Sequence, residues 1–415
     1  EEGGFSHLVE LCNGCGTCRQ TDSNTMCPTF RASREEIQAT RGRANMLRAA
    51  ISGELPEEEI YSDRFQEEVL DLCVGCKGCQ SDCPTGVDLA KLKAEVKHKY
   101  HEEEGTSLRE RLFANIDTVS RIGSMFAPVS NWAQQLPGSD AIAEKLGIAP
   151  DRSLPHFASE TLEDWFENRH SRVAADEAED KVVLFPDTFT NYSYPEPGKA
   201  AVEVLEAAGV HVEIPDDTVA TGRAAFSMGK LDTAHDRAKR NVQVLLPYIE
   251  NGYSVVFVEP SDAVMLQDEY LDLLDGAAAQ RLAANSYGLC EYLDAYRVYD
   301  AIDFDAPDEY LTYHGHCNQK ALNKDHHAAA VLQQAGYDVD ALDSSCCGMA
   351  GSFGYEKEHY ELSKSIGGIL FEKVDESPGE TVVAPGASCR TQLDDREGAS
   401  ERAPHPAEKL RDALA

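Results

Sequence analysis

The stretch Cys73-Val74-Gly75-Cys76-Lys77-Gly78-Cys79-Gln80-Ser81-Asp82-Cys83-Pro84 places a Cys-x2-Cys-x2-Cys loop ahead of a fourth cysteine that precedes proline. Thiolates at this spacing hold cubane iron–sulfur clusters: three come from the loop, and the fourth reaches a neighbouring cluster. A second run lies upstream, Cys12-Asn13-Gly14-Cys15-Gly16-Thr17-Cys18, closed by Cys27-Pro28. The pairing rule then assigns Cys12, Cys15, Cys18 and Cys83 to one [4Fe-4S] cluster. It assigns Cys73, Cys76, Cys79 and Cys27 to the other. Gly14, Gly16, Gly75 and Gly78 let the backbone wrap each cluster and aim N–H groups at sulfur. The first run departs from the simple motif, because the polar segment Arg19–Met26 separates Cys18 from Cys27. Zinc also binds four cysteines, but two full motifs with Cys-Pro endings favour iron and sulfide.

The two runs start about sixty residues apart, with helical stretches predicted at Arg34–Ile51 and Asp63–Asp71 between them and at Lys91–Glu103 after them. This spacing suggests an α-helical ferredoxin domain over residues 1–105, not a compact βαββαβ fold. Residues 106–178, broken by Pro137, Pro150 and Pro155, read as a helical connector without chemistry of its own. From Lys181 onward, short apolar β-type runs alternate with helical stretches, the signature of α/β layers. The segment also repeats internally. Val182–Pro186 corresponds to Tyr310–His314, Val204–Gly209 to Val331–Gly336, and Ser254–Pro260 to Thr381–Pro385. Residues 179–300 and 301–415 are therefore expected to be two copies of one α/β unit, packed as a pseudo-dimer.

A further cysteine set, Cys317, Cys346-Cys347-Gly348 and Cys389, falls at strand ends of the second copy, where open α/β sheets build their sites. Gly348, Gly351 and Gly354 allow the sharp turn that adjacent cysteines need to face one centre. The matching positions of the first copy, near Thr190, Ala220-Thr221-Gly222 and Asp262, contain no cysteine. Packing cysteines would be expected in both copies, so their restriction to one favours a site, a third cluster or a metal ion. His314, His316 and His359 are candidate neighbours of this site, whereas Cys290 reads as core. The glycines 348, 351 and 354 do not follow the dinucleotide pattern, so no nicotinamide or flavin site is expected on this chain. Arg41, Arg43 and Arg48 suggest a basic patch that steers a partner or tunes a cluster; the alternative is helix-surface pairing with Glu35 and Glu36.

The 415 residues carry 73 acidic and 38 basic side chains, a net charge of −35. Such a surface excludes nucleic acid as a partner. Acid spread along the whole chain reads as the solvated surface of a halophilic protein. No run approaches the ~20 apolar residues that span a bilayer. Cysteines at metal-ligand spacing suit a reducing compartment, so a cytoplasmic protein, or one peripheral on the cytoplasmic face of a membrane, is expected. The start at Glu1 suggests a processed chain or a piece of a longer one.

Two ferredoxin motifs followed by paired Cys-Cys-Gly domains resemble the iron–sulfur partners of flavin-dependent 2-hydroxyacid and glycerol-3-phosphate dehydrogenases, and heterodisulfide reductase subunits. The run Cys12–Arg19, Met26-Cys27-Pro28 and Thr40-Arg41-Gly42-Arg43-Ala44 looks like the C-terminal half of fused FAD-linked oxidases that act on D-lactate, D-2-hydroxyglutarate or glycolate. The resemblance implies an electron-transfer module that takes electrons from FAD on a partner domain or subunit. It passes them to a quinone or soluble carrier. It also implies that Gln392 stands where a closing cysteine would complete the heterodisulfide-reducing set. A catalytic heterodisulfide-reductase-like subunit and a zinc-stabilised interaction scaffold are the alternatives.

Overall fold

A computed structural model describes residues 4–21, 25–134, 136, 138–399 and 401–415. The first part of the chain is helical. Its core collects Leu8, Val9, Phe30, Leu47, Leu70 and Leu92 around the buried Cys12, Cys18, Cys27 and Cys79. The helix expected from Arg34 starts at Thr40, after a short 3-10 turn at Glu36–Gln38. Gly42 allows that turn to pack so closely: a Cβ there would lie 1.9 Å from the Glu36 carbonyl oxygen. The second expected stretch is one α-turn, Asp63–Phe65, widening into a π-turn at Gln66–Leu70. The third is a regular helix, Leu89–Glu103, capped by Asp88 through the N–H groups of Ala90 and Lys91. The expected polar loop Arg19–Met26 lies partly outside the described residues; Thr25 and Met26 within it are buried.

The connector is a series of short helices, including Leu108–Ala114, Ile116–Met125 and Ala127–Gln134. Beyond it lie two parallel sheets. In the first, β1 (Lys181–Leu184) pairs with β2 (His211–Glu213) and β3 (Tyr253–Phe257), and β3 pairs with β4 (Ser286–Gly288), in the order β2-β1-β3-β4. In the second, β5 (Tyr310–Tyr313) lies between β6 (Asp338–Ala341) and β7 (Thr381–Val383). The two strand pairs matched in sequence, β1 with β5 and β3 with β7, occupy the same places in the two sheets, and the matched helix ends precede β2 and β6. Parallel pairing requires a crossover for each strand, supplied by helices such as Pro195–Ala207 and His326–Gln334. One apolar core runs through both units, joining Val182 and Val256 to Leu311, Val331 and Val383. The last helix, Pro406–Asp412, packs on Pro195–Ala207 of the first unit. Cys290 lies in this core, as expected. Among the described residues no helix is long and apolar enough to cross a membrane.

Candidate iron–sulfur and cysteine-rich sites

The first cysteine loop turns on Gly14 and Gly16, both at positive φ. Cys12 and Cys18 are buried and Cys15 is exposed, so one edge of this loop faces solvent. The three arginines do not form a surface patch. Arg41 pairs with Glu36 at 2.7 Å, and its backbone N–H points at Cys18 Sγ at 3.4 Å. Arg48 donates to the Cys12 carbonyl at 2.5 Å. Arg43 is fully buried, donating to the Val69 and Gln38 carbonyls and approaching Cys27 Sγ at 3.8 Å. The helix Thr40–Ile51 thus projects one arginine after another onto cysteine-bearing backbone, a role that charge patterning alone could not distinguish from surface pairing.

In the second run, a small cavity is lined by Cys27, Cys73, Cys76 and Cys79, the set predicted for one cluster. Leu89 N–H points at Cys79 Sγ at 3.4 Å, and Asp82 orders the approach to Cys27 by accepting the N–H groups of Thr25 and Met26, both at 2.8 Å. Gly78 has no room for a Cβ, which would meet Thr25 Cγ2 at 2.8 Å. Cys83 packs on the same apolar cluster as Cys12 and Cys18. Lys77, between two ligand cysteines, carries no sequence signal of its own. Its ammonium is buried among Asp88 at 3.6 Å, Glu269 at 2.9 Å and a directly paired Asp268. Two of these carboxylates belong to the first α/β unit, so the cage clamps the cysteine loop onto it.

Cys317, Cys346, Cys347 and Cys389 come together as expected, all buried. Cys346 contacts Cys317 and Cys347, and Cys347 contacts Cys389 and His314. The neighbouring Cys346, Cys389 and His314 push the Cys347 thiol well below its ordinary value, while Cys346 and Cys389 are pushed up. The His314 ring is fixed from its other side by Ser344 Oγ at 2.7 Å. His316 and Cys389 both border Gly386, and burial pushes His316 down to about 4. His359 lines the cavity beside this site and is held by other partners: it stacks on Phe353, 4.3 Å between centroids, and faces Glu356 at 3.1 Å. Gln392 turns away from the cysteines to accept from Arg152 at 2.9 Å. Four thiolates around zinc stand about 3.8 Å apart, from a Zn–S distance of about 2.3 Å. Among the described residues only Asp294, His326 and His327 bring three ligand atoms within 4.8 Å of one another.

The cysteine-rich site adjoins the second ferredoxin-type run. Cys76 joins Cys317, Cys346, Cys347 and Cys389 in one buried cluster. The helix Cys317–Ala321 packs on the turn Gly78–Ser81, and Asn318 donates to the Gly75 carbonyl at 3.4 Å. A mostly apolar cavity of about 250 Å³ opens over this junction, lined by Cys73, Cys317, Cys346 and Cys347. Its far wall includes Phe113, Ile116, Leu154 and Pro155. The connector, expected to carry no chemistry, therefore builds part of the site, because its short helices fold back over the strand ends.

Residues 8–87 match the 4Fe-4S dicluster domain, and residues 183–261 and 311–394 each match the cysteine-rich domain. The chain is 27% identical to a subunit of the anaerobic glycerol-3-phosphate dehydrogenase of Escherichia coli K12, over 98% of both chains. It is 24% identical to D-2-hydroxyglutarate dehydrogenase of the same organism, over 96% of this chain but 43% of that protein. It is also 24% identical to the glycolate oxidase iron-sulfur subunit of E. coli K12, over 93% of this chain and 90% of that one. Identity to the separate subunits is no lower than to the longer enzyme, so the comparisons do not single out the fused subgroup suggested by the first cysteine run. The chain thus carries matches to a 4Fe-4S dicluster domain and two cysteine-rich domains, and is similar over nearly its whole length to subunits of glycerol-3-phosphate dehydrogenase and glycolate oxidase.

Proposed function

We propose that the chain conducts electrons from a flavin dehydrogenase partner, through two [4Fe-4S] clusters and the cysteine-rich site, to a quinone. Cys12, Cys15, Cys18 and Cys83 would hold the entry cluster, where the exposed Cys15 edge faces the partner. Cys73, Cys76, Cys79 and Cys27 would hold the second cluster. Cys317, Cys346, Cys347 and Cys389 would hold a third centre, with His314 and His316 beside it. The two α/β units are read as copies of one fold, of which the first has lost its cysteines. The observation that carries this reading is the burial of Cys76 and Cys317 in one cluster beneath an apolar cavity. Electron transfer falls off with distance, and a cluster held by Cys76 would lie against the terminal site.

The apolar cavity suits a ring-bearing acceptor. The helix Ile116–Met125 that contributes Ile116 to its wall also exposes Ile122 and Met125, next to exposed Phe126, Val129 and Trp132. Such a face supports a peripheral seat on a membrane from which a quinone would enter. Iron and sulfide analysis of anaerobically purified protein tests the cluster assignment: about eight of each is expected from two cubanes, and four would refute it. A second reading, reduction of a disulfide by Cys347, is favoured by its lowered thiol pKa. It predicts thiol–disulfide turnover by the reduced chain.

A further inference from the structure

The first α/β unit has no cysteine at the positions that build the site in the second, and its residues there are not inert. Asp262, at the position matching Cys389, lines the same cavity as Cys317, Cys346 and Cys347. It receives a hydrogen bond from Thr221, at the position matching the Cys346-Cys347 pair. Thr221 is itself held by Tyr270, whose hydroxyl donates to its carbonyl at 2.8 Å. Two more carboxylates, Asp187 and Glu259, are buried beside Asp262. Three carboxylates in so little water need compensating positive charge.

That compensation is incomplete. Glu259 is engaged by Ala387 N–H at 2.8 Å and faces Arg390. Arg223 faces Asp262 but is bound to Glu269 at 2.8 Å. One oxygen of Asp187 caps the helix Thr188–Tyr192, through Phe189 and Thr190 N–H groups at 3.1 and 2.9 Å. Its other oxygen, Oδ2, has no hydrogen-bond partner although the residue is 1% exposed. The group is not spaced for a cation, since its ligand atoms do not gather within 4.8 Å. A proton is the remaining counter-charge. Burial and the mutual repulsion of the three carboxylates push Asp187 and Asp262 above the ordinary carboxylate range.

We propose that Asp262, resupplied through Asp187, is the proton donor to a quinone reduced in the cavity. The inference rests on the quinone reading above. Reduction of a quinone to a quinol takes two electrons and two protons. The electrons come one at a time from the reduced clusters, which are oxidised in turn. Each proton leaves a carboxyl O–H of Asp262 as an O–H bond forms on a quinone oxygen, and the carboxylate is reprotonated from Asp187 and then from solvent. The cysteines of one unit would thus deliver electrons, and the carboxylates at the matching positions of the other would deliver protons, to one ligand between them.

The test uses the full cluster-loaded chain, reduced by dithionite and freed of excess reductant. It is mixed in a stopped-flow instrument with a short-chain quinone, or with ferricyanide, which takes one electron and no proton. Expected for the wild type is reoxidation by quinone that slows as pH rises and slows in D2O, with ferricyanide oxidation insensitive to both. Asp262→Asn should slow the quinone reaction about a hundredfold, the lower end of what a positioned proton donor contributes, and leave the ferricyanide reaction unchanged. Asp187→Asn keeps the helix cap and should slow the quinone reaction at high pH. Infrared spectra of the unreduced protein should contain a protonated-carboxyl band near neutral pH that Asp262→Asn removes. Wild-type quinone rates in a folded Asp262→Asn protein, or a wild-type rate flat in pH and D2O, would overturn the proton donor alone. Failure of quinone to oxidise the wild type, with ferricyanide still active, would overturn the quinone reading and the donor with it.

Discussion

Lys77→Met should separate the ferredoxin-type domain from the first α/β unit. The side chain is 1% exposed, with Glu269 at 2.9 Å, Asp88 at 3.6 Å and Asp268 in direct contact. Removing one partner of a buried ion pair costs about 3–5 kcal/mol, because the remaining charge stays buried. No carboxylate is left wholly alone here. Arg223 remains 2.8 Å from Glu269, and Lys91 remains 3.4 Å from Asp268 and 3.9 Å from Asp88. The lower end, about 3 kcal/mol, is therefore expected. The same cage makes an acid signature. Burial alone would raise the Glu269 carboxyl, but Arg223 and Lys77 outweigh it and hold it at about 2. Its unfolded value is near 4.5, so its stabilisation is present above that pH and is lost as pH falls toward 2. With Lys77 gone the carboxyl rises, and acid unfolding should begin at higher pH. The assay is anaerobic guanidinium and pH titration, read by circular dichroism and by cluster absorbance. Loss of the positive charge on the residue between Cys76 and Cys79 should also shift the reduction of the second cluster to more negative potential, since the reduced state gains negative charge. A stability change under about 1 kcal/mol with an unshifted acid transition would refute the reasoning.

Gly42→Ala should destabilise by about 1–3 kcal/mol, as overpacking does, because its Cβ would strike the Glu36 backbone. It should also perturb the cluster spectrum, since the displaced turn carries the Gln38 carbonyl bound by Arg43 at 2.6 Å and faced by Cys27; a clean thermal shift with unchanged spectrum would separate the two effects. Cys347→Ser should leave both cubane signals intact while slowing reoxidation by quinone; loss of cubane iron instead would mean that the cysteine-rich site and the dicluster domain fold as one unit. Molar salt should be needed for full stability, given a net charge of −35 whose repulsion is screened within about 3 Å at 1 M. An unchanged melting temperature in dilute buffer would remove the halophilic reading. The contribution of Lys77, buried from ions, should be nearly the same in both conditions.

Some expectations from the sequence reach the right residues for local reasons. A Cys-x2-Cys-x2-Cys loop is a short-range object, and Cys27, Cys73, Cys76 and Cys79 are among the residues that line one cavity. The strand repeat rests on apolar runs at matched intervals, which place β1 and β3 like β5 and β7. The arginines are not legible in this way, because periodicity says which face of a helix a residue occupies, not what covers that face. Arg43, expected in a surface patch, is fully buried. His359 groups with His314 and His316 by residue type, yet the helix after it carries it to Phe353 and Glu356.

The order of cysteines along the chain determined the chemistry: thiolate candidates, their loops, and one α/β unit with cysteines at its strand ends and one without them there. It did not determine where that chemistry meets. Cys76 and Cys317 become neighbours only because the helix Cys317–Ala321 packs on Gly78–Ser81 and the Lys77 cage clamps the domains together. The facing of Asp262 toward the cysteines of the other unit is of the same kind. Ligand spacing is set within a loop by backbone geometry, whereas these contacts are set by how whole apolar faces fit, which no local pattern encodes.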